Sequence, residues 1–282
     1  MPVILRELLV FFKCSNGIIH AFCIHSYMKI ITLNANGIRA SQRKGMFEWF
    51  KKQEADVLCI QETKAQLNQL DPKLFIPQGY HFYQADAVKK GYSGVSIYSK
   101  HQPIAVKYGI DWPEFDTEGR WLQVDLGHII IVSLYLPSGS AKEERQDFKY
   151  VCMDRLEDVL QGLKDTGKPF VVCGDWNIAH KKIDIKNWRG NQKNSGFLPA
   201  EREWMTKLFE EFKLVDAFRA VEPGEEQYSW WSNRGQAWAN NTGWRIDYHI
   251  TSPCLKDKVK TASIYKEERF SDHAPVVIEY QI

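Results

Sequence analysis

Six short apolar runs, each with an acid, amide or phenol at or beside one end, constrain this chain more than any other feature. They are KIITLNANG, VLCIQETK, IIIVSLYLPS, PFVVCGDWN, WRIDYHITS and SDHAPVVIEY. Short runs rich in Val and Ile and bounded by turn residues read as buried strands. One polar residue at the mouth of such a strand is ordinary turn chemistry. Repeated six times, with Asn34, Glu62, Tyr135, Asp175, Asn177, Asp247, Asp272 and His273, it implies that one layer of sheet ends converges on one site.

These residues span nearly the whole chain, so a shared site requires one folded unit, although the length of 282 residues alone would favour two domains. From Met28 onward the strand runs alternate with helical patterns around residues 44–53 and 142–164 and after Pro199. In the second of these, Phe148, Val151, Cys152, Leu156, Val159, Leu160 and Leu163 recur at three- and four-residue spacing and predict one apolar face. Trp204, Leu208, Phe209 and Phe212 do the same in the third. Residues 81–134 hold several strand-like pieces with hairpin signals and no crossover helices, which excludes a purely parallel sheet. The expected fold class is therefore α/β, with mixed sheets covered by helices in a layered sandwich. Residues 1–27 read as a non-core extension before a single domain at 28–282. Arg6, Glu7 and Lys13 interrupt the apolar patches of that extension, so it never reaches the roughly 18 apolar residues of a spanning helix. It also lacks a clean secretory signal.

Hydrophobic content of 44% and charged content of 26% fit an ordinary globular protein. The net charge of +2 does not by itself call for nucleic acid. Its distribution is more informative. The segment 180–193 holds Lys181, Lys182, Lys186, Arg189 and Lys193 against Asp184 alone, a solvated loop or a basic contact surface. The six Cys show no CxxC and no regular spacing, which implies a reducing, cytoplasmic compartment rather than a disulfide framework.

No His/Cys cluster has zinc spacing. The oxygen donors Glu62, Asp272, Asn34 and Asn36 instead suit Mg²⁺ or Mn²⁺. Each taken alone is more often structural, and Asn36-Gly37 is also a turn signal. Asp247 and Asp272-His273 open two strands, and a carboxylate that orients an imidazole is a hydrolytic arrangement. Asp175 and Asn177 are two apart, which allows both to face one site or to form an Asx turn. There is no nucleophile elbow, P-loop or GxGxxG, so acyl transfer and nucleotide-fold chemistry lose support.

LNANGIRA, QETK, YLPSG, GDWNIAH, NSGF, GWRIDY and SDHAP together resemble, in order, the motif series of exonuclease III-type AP endonucleases. These belong to the endonuclease/exonuclease/phosphatase superfamily. The resemblance covers residues 28–282. It implies a four-layered, DNase I-like α/β sandwich and Mg²⁺-dependent cleavage of DNA phosphodiesters 5′ to abasic sites, with 3′→5′ exonuclease and 3′-phosphodiesterase action. It implies Glu62 as main metal ligand with Asn34 and Asp272 nearby. Asp175 would activate the water with Asn177, Tyr135 would contact the phosphate or leaving oxygen, and His273 paired to Asp247 would bind the scissile phosphate. The abasic pocket would be Trp230, Trp244 and Ile246, with Asn191 and Asn194 in the basic loop. Arg234 matches a position from which some relatives reach into the duplex. The implied partner is double-stranded DNA with abasic sites or damaged 3′ ends, bound by a monomer without any membrane. Two positions depart from some relatives: Asn36 stands for an Asp, and Ser138 for an Asn or Gln.

Two other readings share parts of this pattern. A superfamily phosphatase or phosphodiesterase acting on a soluble or lipid phosphate would use the same core. A DNA-binding module without activity would have no need of carboxylates facing phosphate.

Overall fold

A computed structural model describes residues 27–282 and the backbone alone of residues 9–13 and 19–23. Two six-stranded mixed sheets form the centre. In spatial order the first runs Val259–Ile264, Val276–Gln281, Tyr27–Asn34, Val57–Gln61, Val95–Ser99, His81–Ala85. The second runs Val215–Asp216, Asp247–Thr251, Phe170–Asp175, Ile130–Tyr135, Trp121–Asp125, Ala105–Tyr108. Each sheet has one parallel pair, Tyr27–Asn34 with Val57–Gln61 and Ile130–Tyr135 with Phe170–Asp175. Parallel neighbours need a crossover. The first crossover carries helices Ile38–Arg43 and Met46–Gln53, and the second carries helix Glu143–Asp165.

The strands are apolar on both faces, and this makes four layers. Ile30, Val57, Cys59 and Ile97 of the first sheet meet Leu122, Val124, Ile131 and Val171 of the second in a shared central core. The alternate residues face outward. Ile31, Leu33, Leu58 and Ile60 pack on Phe47, Trp49 and Phe50. Val132, Leu134, Val172 and Ile250 pack on Cys152, Leu156, Leu160, Trp204 and Leu208. Continuous Val/Ile runs without polar alternation are the expected signature of strands covered on both sides.

Some details differ from the sequence reading. The first helical pattern starts earlier, at Ile38, and is broken at Gly45, whose φ of 88° ends one helix and begins the next. On the long helix the buried face is Lys149, Cys152, Met153, Leu156, Leu160 and Leu163, whereas Val151 is exposed. A fully buried lysine was invisible to a hydrophobic periodicity. Phe212 lies beyond the end of helix Pro199–Glu210. The sequence reading missed the short antiparallel pair Trp230–Trp231 with Gly243–Trp244.

The extension falls partly outside the described residues. Leu9–Lys13 pairs antiparallel with Ile19–Cys23 in a separate ladder that joins neither six-stranded sheet. Tyr27 pairs with Gln281, one residue before the expected start at Met28. Among the described residues no helix is long and apolar enough to cross a membrane.

Candidate active site

Strand register builds the site. Asp175 pairs directly with Tyr135 on one side and with Asp247 on the other, so three adjacent strands present these side chains at one sheet edge. The facing sheet contributes Asn34, at the end of its strand beside Gln61, and then Glu62. The strand pair of tryptophans is zipped to residues 272–274. Trp231 N–H donates to Asp272 O (3.0 Å), Ala274 N–H to Ser229 O (2.7 Å), and Trp230 bridges His273. That ladder carries Asp272 and His273 over the edge.

Four site residues hold left-handed backbone without being glycine: Asn36 (φ 44°), Glu62 (φ 50°), Lys64 (φ 48°) and Asn177 (φ 51°). Such strain persists where the surroundings over-determine it, and it clusters at functional sites. Gly174 has φ 148°, and a Cβ there would lie 1.9 Å from Leu134 O. Only glycine lets the two parallel strands close beneath Asp175.

The polar contacts form one network. His273 Nδ1 meets Asp247 Oδ2 at 2.9 Å, and Ser229 Oγ donates to the same oxygen at 2.6 Å. On its other side, His273 Nε2 is 3.9 Å from Asp175 Oδ2. Asp175 Oδ2 accepts from Asn34 Nδ2 (2.8 Å) and Asn177 Nδ2 (3.2 Å), and Asp175 Oδ1 accepts from Asn177 N–H (2.9 Å). The Asx turn at Asp175 therefore coexists with a place in the site. Asn34 Nδ2 also donates to Glu62 Oε1 (2.8 Å), while its Oδ1 accepts Asn36 N–H (2.9 Å). Asn34 thus turns its nitrogen, not an oxygen, toward the carboxylates. In this orientation it bridges Glu62 and Asp175. Lys64 Nζ joins Glu62 Oε2 (2.7 Å) to Asn36 Oδ1 (2.5 Å), and Asn36 Nδ2 donates to Asp272 Oδ1 (2.9 Å). Trp230 Nε1 donates to Asp272 Oδ2 (3.2 Å).

Electrostatics separate the roles. Burial pushes Asp175 up to about 7, helped by the Asp247 and Glu62 charges and opposed by His273. Burial alone would lower His273, but Asp247, Asp175 and Asp272 outweigh it and raise it to about 10. An imidazolium at neutral pH has both ring N–H groups as donors. Burial pushes Glu62 up too, yet the Lys64 ammonium and the Asn34 hydrogen bond leave it below the usual carboxylate range. Asp272 is lowered likewise: burial would raise it, but His273 and the Asn36, Ser271 and Trp230 donors prevail. Tyr135 is raised well above its ordinary value, chiefly by burial and then by Glu62, so it stays a neutral phenol. Arg120 stacks over its ring at 4.6 Å.

A cleft of about 890 Å³ opens over this network. Of the residues singled out from sequence, Glu62, Tyr135, Asp175, Asn177, Asn194, Trp230, Arg234, Trp244, Ile246, Asp272 and His273 line it. Asp247 and Asn34 lie beneath, as partners of lining residues. Asn191 does not line the cleft but accepts from Asn194 Nδ2 at 2.7 Å. Trp230 and Trp244 meet edge to face, with centroids 6.0 Å apart. Sequence reasoning missed Lys64, Ser229 and Arg120. Lys64 stands inside QETK, so its motif was the available signal, whereas nothing local distinguishes Ser229 or Arg120.

Glu62, Asp175 and His273 each bring a ligand-type atom within 4.8 Å of the others. His273 Nδ1 is already engaged by Asp247 Oδ2, and its Nε2 is 3.9 Å from Asp175 Oδ2. The carboxylates of Glu62, Asp175 and nearby Asp272 offer hard oxygens, and the Lys64 ammonium already joins Glu62 to Asn36 Oδ1. The donor set fits a hard divalent cation.

Two facing mixed sheets thus carry an acid–amide–imidazole cluster at one edge. The chain belongs to the Endonuclease/Exonuclease/phosphatase family, whose sequence model matches residues 31–273. It is 43% identical over 251 residues to an exodeoxyribonuclease of Bacillus subtilis, covering 88% of this chain and 98% of the relative. It is 37% identical to DNA repair nuclease APEX1 of Danio rerio, covering 89% and 81%. An AP endonuclease from Archaeoglobus fulgidus superposes with a TM-score of 0.83 at 28% identity, covering 90% of this chain and all of that one. A Neisseria 3′ phosphatase bound to a product DNA hairpin also superposes at 0.83, with 26% identity and coverage of 90% and 100%.

Proposed function

We propose that this protein is a DNA repair nuclease that hydrolyses the phosphodiester 5′ to an abasic site and trims 3′ ends of duplex DNA. It acts as a monomer in a reducing, cytoplasmic setting. The observation that carries this reading is the Asp247–His273–Asp175 chain at the floor of a cleft walled by Trp230 and Trp244. A soluble phosphate needs the floor but not the wall.

Asp175, poised near neutrality, accepts the proton of the attacking water while Asn34 and Asn177 fix the direction of its Oδ2. The water oxygen bonds to phosphorus and the bond from phosphorus to the 3′ oxygen breaks. His273 directs its Nε2–H at the phosphate, and Asp247 and Ser229 keep the imidazolium oriented and charged. Tyr135, a neutral phenol, donates to the departing oxygen. Glu62 and Asp272 would hold Mg²⁺ or Mn²⁺, which when bound neutralises phosphate charge and favours the leaving alkoxide. Trp230, Trp244 and Ile246 supply flat apolar walls for a bare deoxyribose, with Asn194 and Asn191 at the rim. Arg234 is exposed at the cleft edge, where it reaches the duplex.

The test is incision of a duplex with one abasic site, with and without Mg²⁺, beside release of phosphate from an inositol phosphate. Metal-dependent incision with no phosphate release supports the reading. The reverse pattern would move the chain to the phosphatase branch.

A further inference from the structure

We propose that the buried ion pair Lys149–Glu201 is a positioning device: it holds Asn177 against Asp175 and the 194–198 loop against the cleft. The inference rests on the nuclease reading above. Both side chains are fully buried (0% exposed), with Nζ and Oε1 2.6 Å apart. Lys149 lies on helix Glu143–Asp165 and Glu201 in the first turn of helix Pro199–Glu210. A glutamate at that place ordinarily caps its own helix from the surface and needs no lysine. Glu201 does accept Leu198 N–H at 3.0 Å, but the same oxygen also accepts Gly196 N–H at 2.7 Å. Its other oxygen takes Lys149 and Gln146. Lys149 directs its second bond to the carbonyl oxygen of Asn177, at 2.8 Å.

Burying two ions carries a desolvation cost that apolar residues of similar volume would avoid, so stability alone is a poor account of the pair. What apolar residues could not do is fix two backbone segments that face the cleft. Asn177 must be held in left-handed backbone for its side chain to reach both Asp175 Oδ2 and Leu136 O. Gly196 is wedged between Asn177 O and the Trp244 ring, each 3.1 Å from where its Cβ would be. One ammonium–carboxylate pair therefore sets the spacing between a water-positioning amide and a wall of the sugar pocket. Neither Lys149 nor Glu201 lines the cleft, so both act through their neighbours.

The test is a double-mutant cycle on the full chain. Lys149→Met with Glu201→Gln removes the tether to Asn177. The Gln oxygen still accepts the loop N–H groups. Its amide nitrogen meets the Gln146 amide, which accepts it by turning over to present Oε1, an atom buried without a partner. The kcat and KM for abasic incision are measured for wild type, this variant, Asn177→Ala and the combination, with thermal melting of each. The expected result is a kcat loss of roughly tenfold or more with KM within about threefold. In the Asn177→Ala background the same change should cost less than about twofold, because nothing remains to be positioned. Equal fold losses in both backgrounds, or wild-type kcat in the pair variant, overturn the proposal. If the pair variant melts below the assay temperature, Lys149→Met alone, which also removes the bond to Asn177 O and leaves a carboxyl that can take up a proton, carries the same cycle with the same overturning outcome. Wild type inactive on abasic sites and on 3′ ends refutes the nuclease reading, whereas equal losses from an active wild type refute only the positioning role.

Discussion

Asp175 and His273 are 3.9 Å apart and biased oppositely, one toward neutrality and the other toward charge. Asp175 must be ionised to accept a proton, so turnover should rise with pH through about 7, or lower once a bound cation favours the carboxylate. His273 must be protonated to bind phosphate, so turnover should fall as pH rises through about 10. The pair is in contact, so these limbs belong to both groups jointly. Asp175→Asn and His273→Asn should each lower kcat by roughly two orders of magnitude or more, with the fold intact by circular dichroism. Either variant at near wild-type rate in saturating Mg²⁺ would remove that residue from the mechanism. Glu62→Gln removes an anionic oxygen that a hard cation needs while leaving DNA contacts elsewhere untouched. It should weaken Mg²⁺ binding and cleavage and largely spare DNA binding. Unchanged Mg²⁺ affinity would show that Glu62 is not a ligand.

At the scale of elements, the strand ends were legible because the same residues carry two signals, burial along the run and polarity at its mouth. Tyr135, Asp175 and Asp247 could be chosen from sequence, but their mutual register could not, since pairing partners are set by long-range topology. The Trp230–Trp231 and Gly243–Trp244 strands were illegible for a related reason. Two residues carry no periodicity, and their pairing is fixed by the ladder to Asp272 and Ala274. Lys149 illustrates a further limit: a lysine reads as solvated unless its carboxylate partner, 52 residues away, is known to be buried with it. The tryptophan ladder also carries a prediction. Trp244→Ser removes one wall of the proposed sugar pocket and packing worth about 1–3 kcal/mol. The ratio of abasic incision to end digestion should fall while phosphate chemistry continues, measured at one fixed salt concentration because phosphate contacts are salt-sensitive. An unchanged ratio would place the discriminating pocket elsewhere.

For the whole molecule, one fold carries one site because both sheets must contribute an edge. Asn34, Glu62, Asp272 and His273 come from the first sheet and its flanks, and Tyr135, Asp175 and Asp247 from the second. No half of the chain would retain the site. The backbone ladder of residues 9–13 and 19–23 joins neither sheet, so deleting residues 1–26 should leave incision rate and melting temperature unchanged. A large drop in melting temperature would show that the extension packs as part of the fold. The central claim, that this cleft recognises a missing base and hydrolyses the adjacent phosphodiester, is tested most directly on the unmodified protein. The measurement is the initial rate of incision at one abasic site in a defined duplex, against digestion of the intact duplex from its 3′ ends, with Mg²⁺ and with chelator. Incision faster than end digestion, and lost on chelation, is the expected result. Efficient end digestion with the abasic site ignored, or incision indifferent to chelator, would contradict the account.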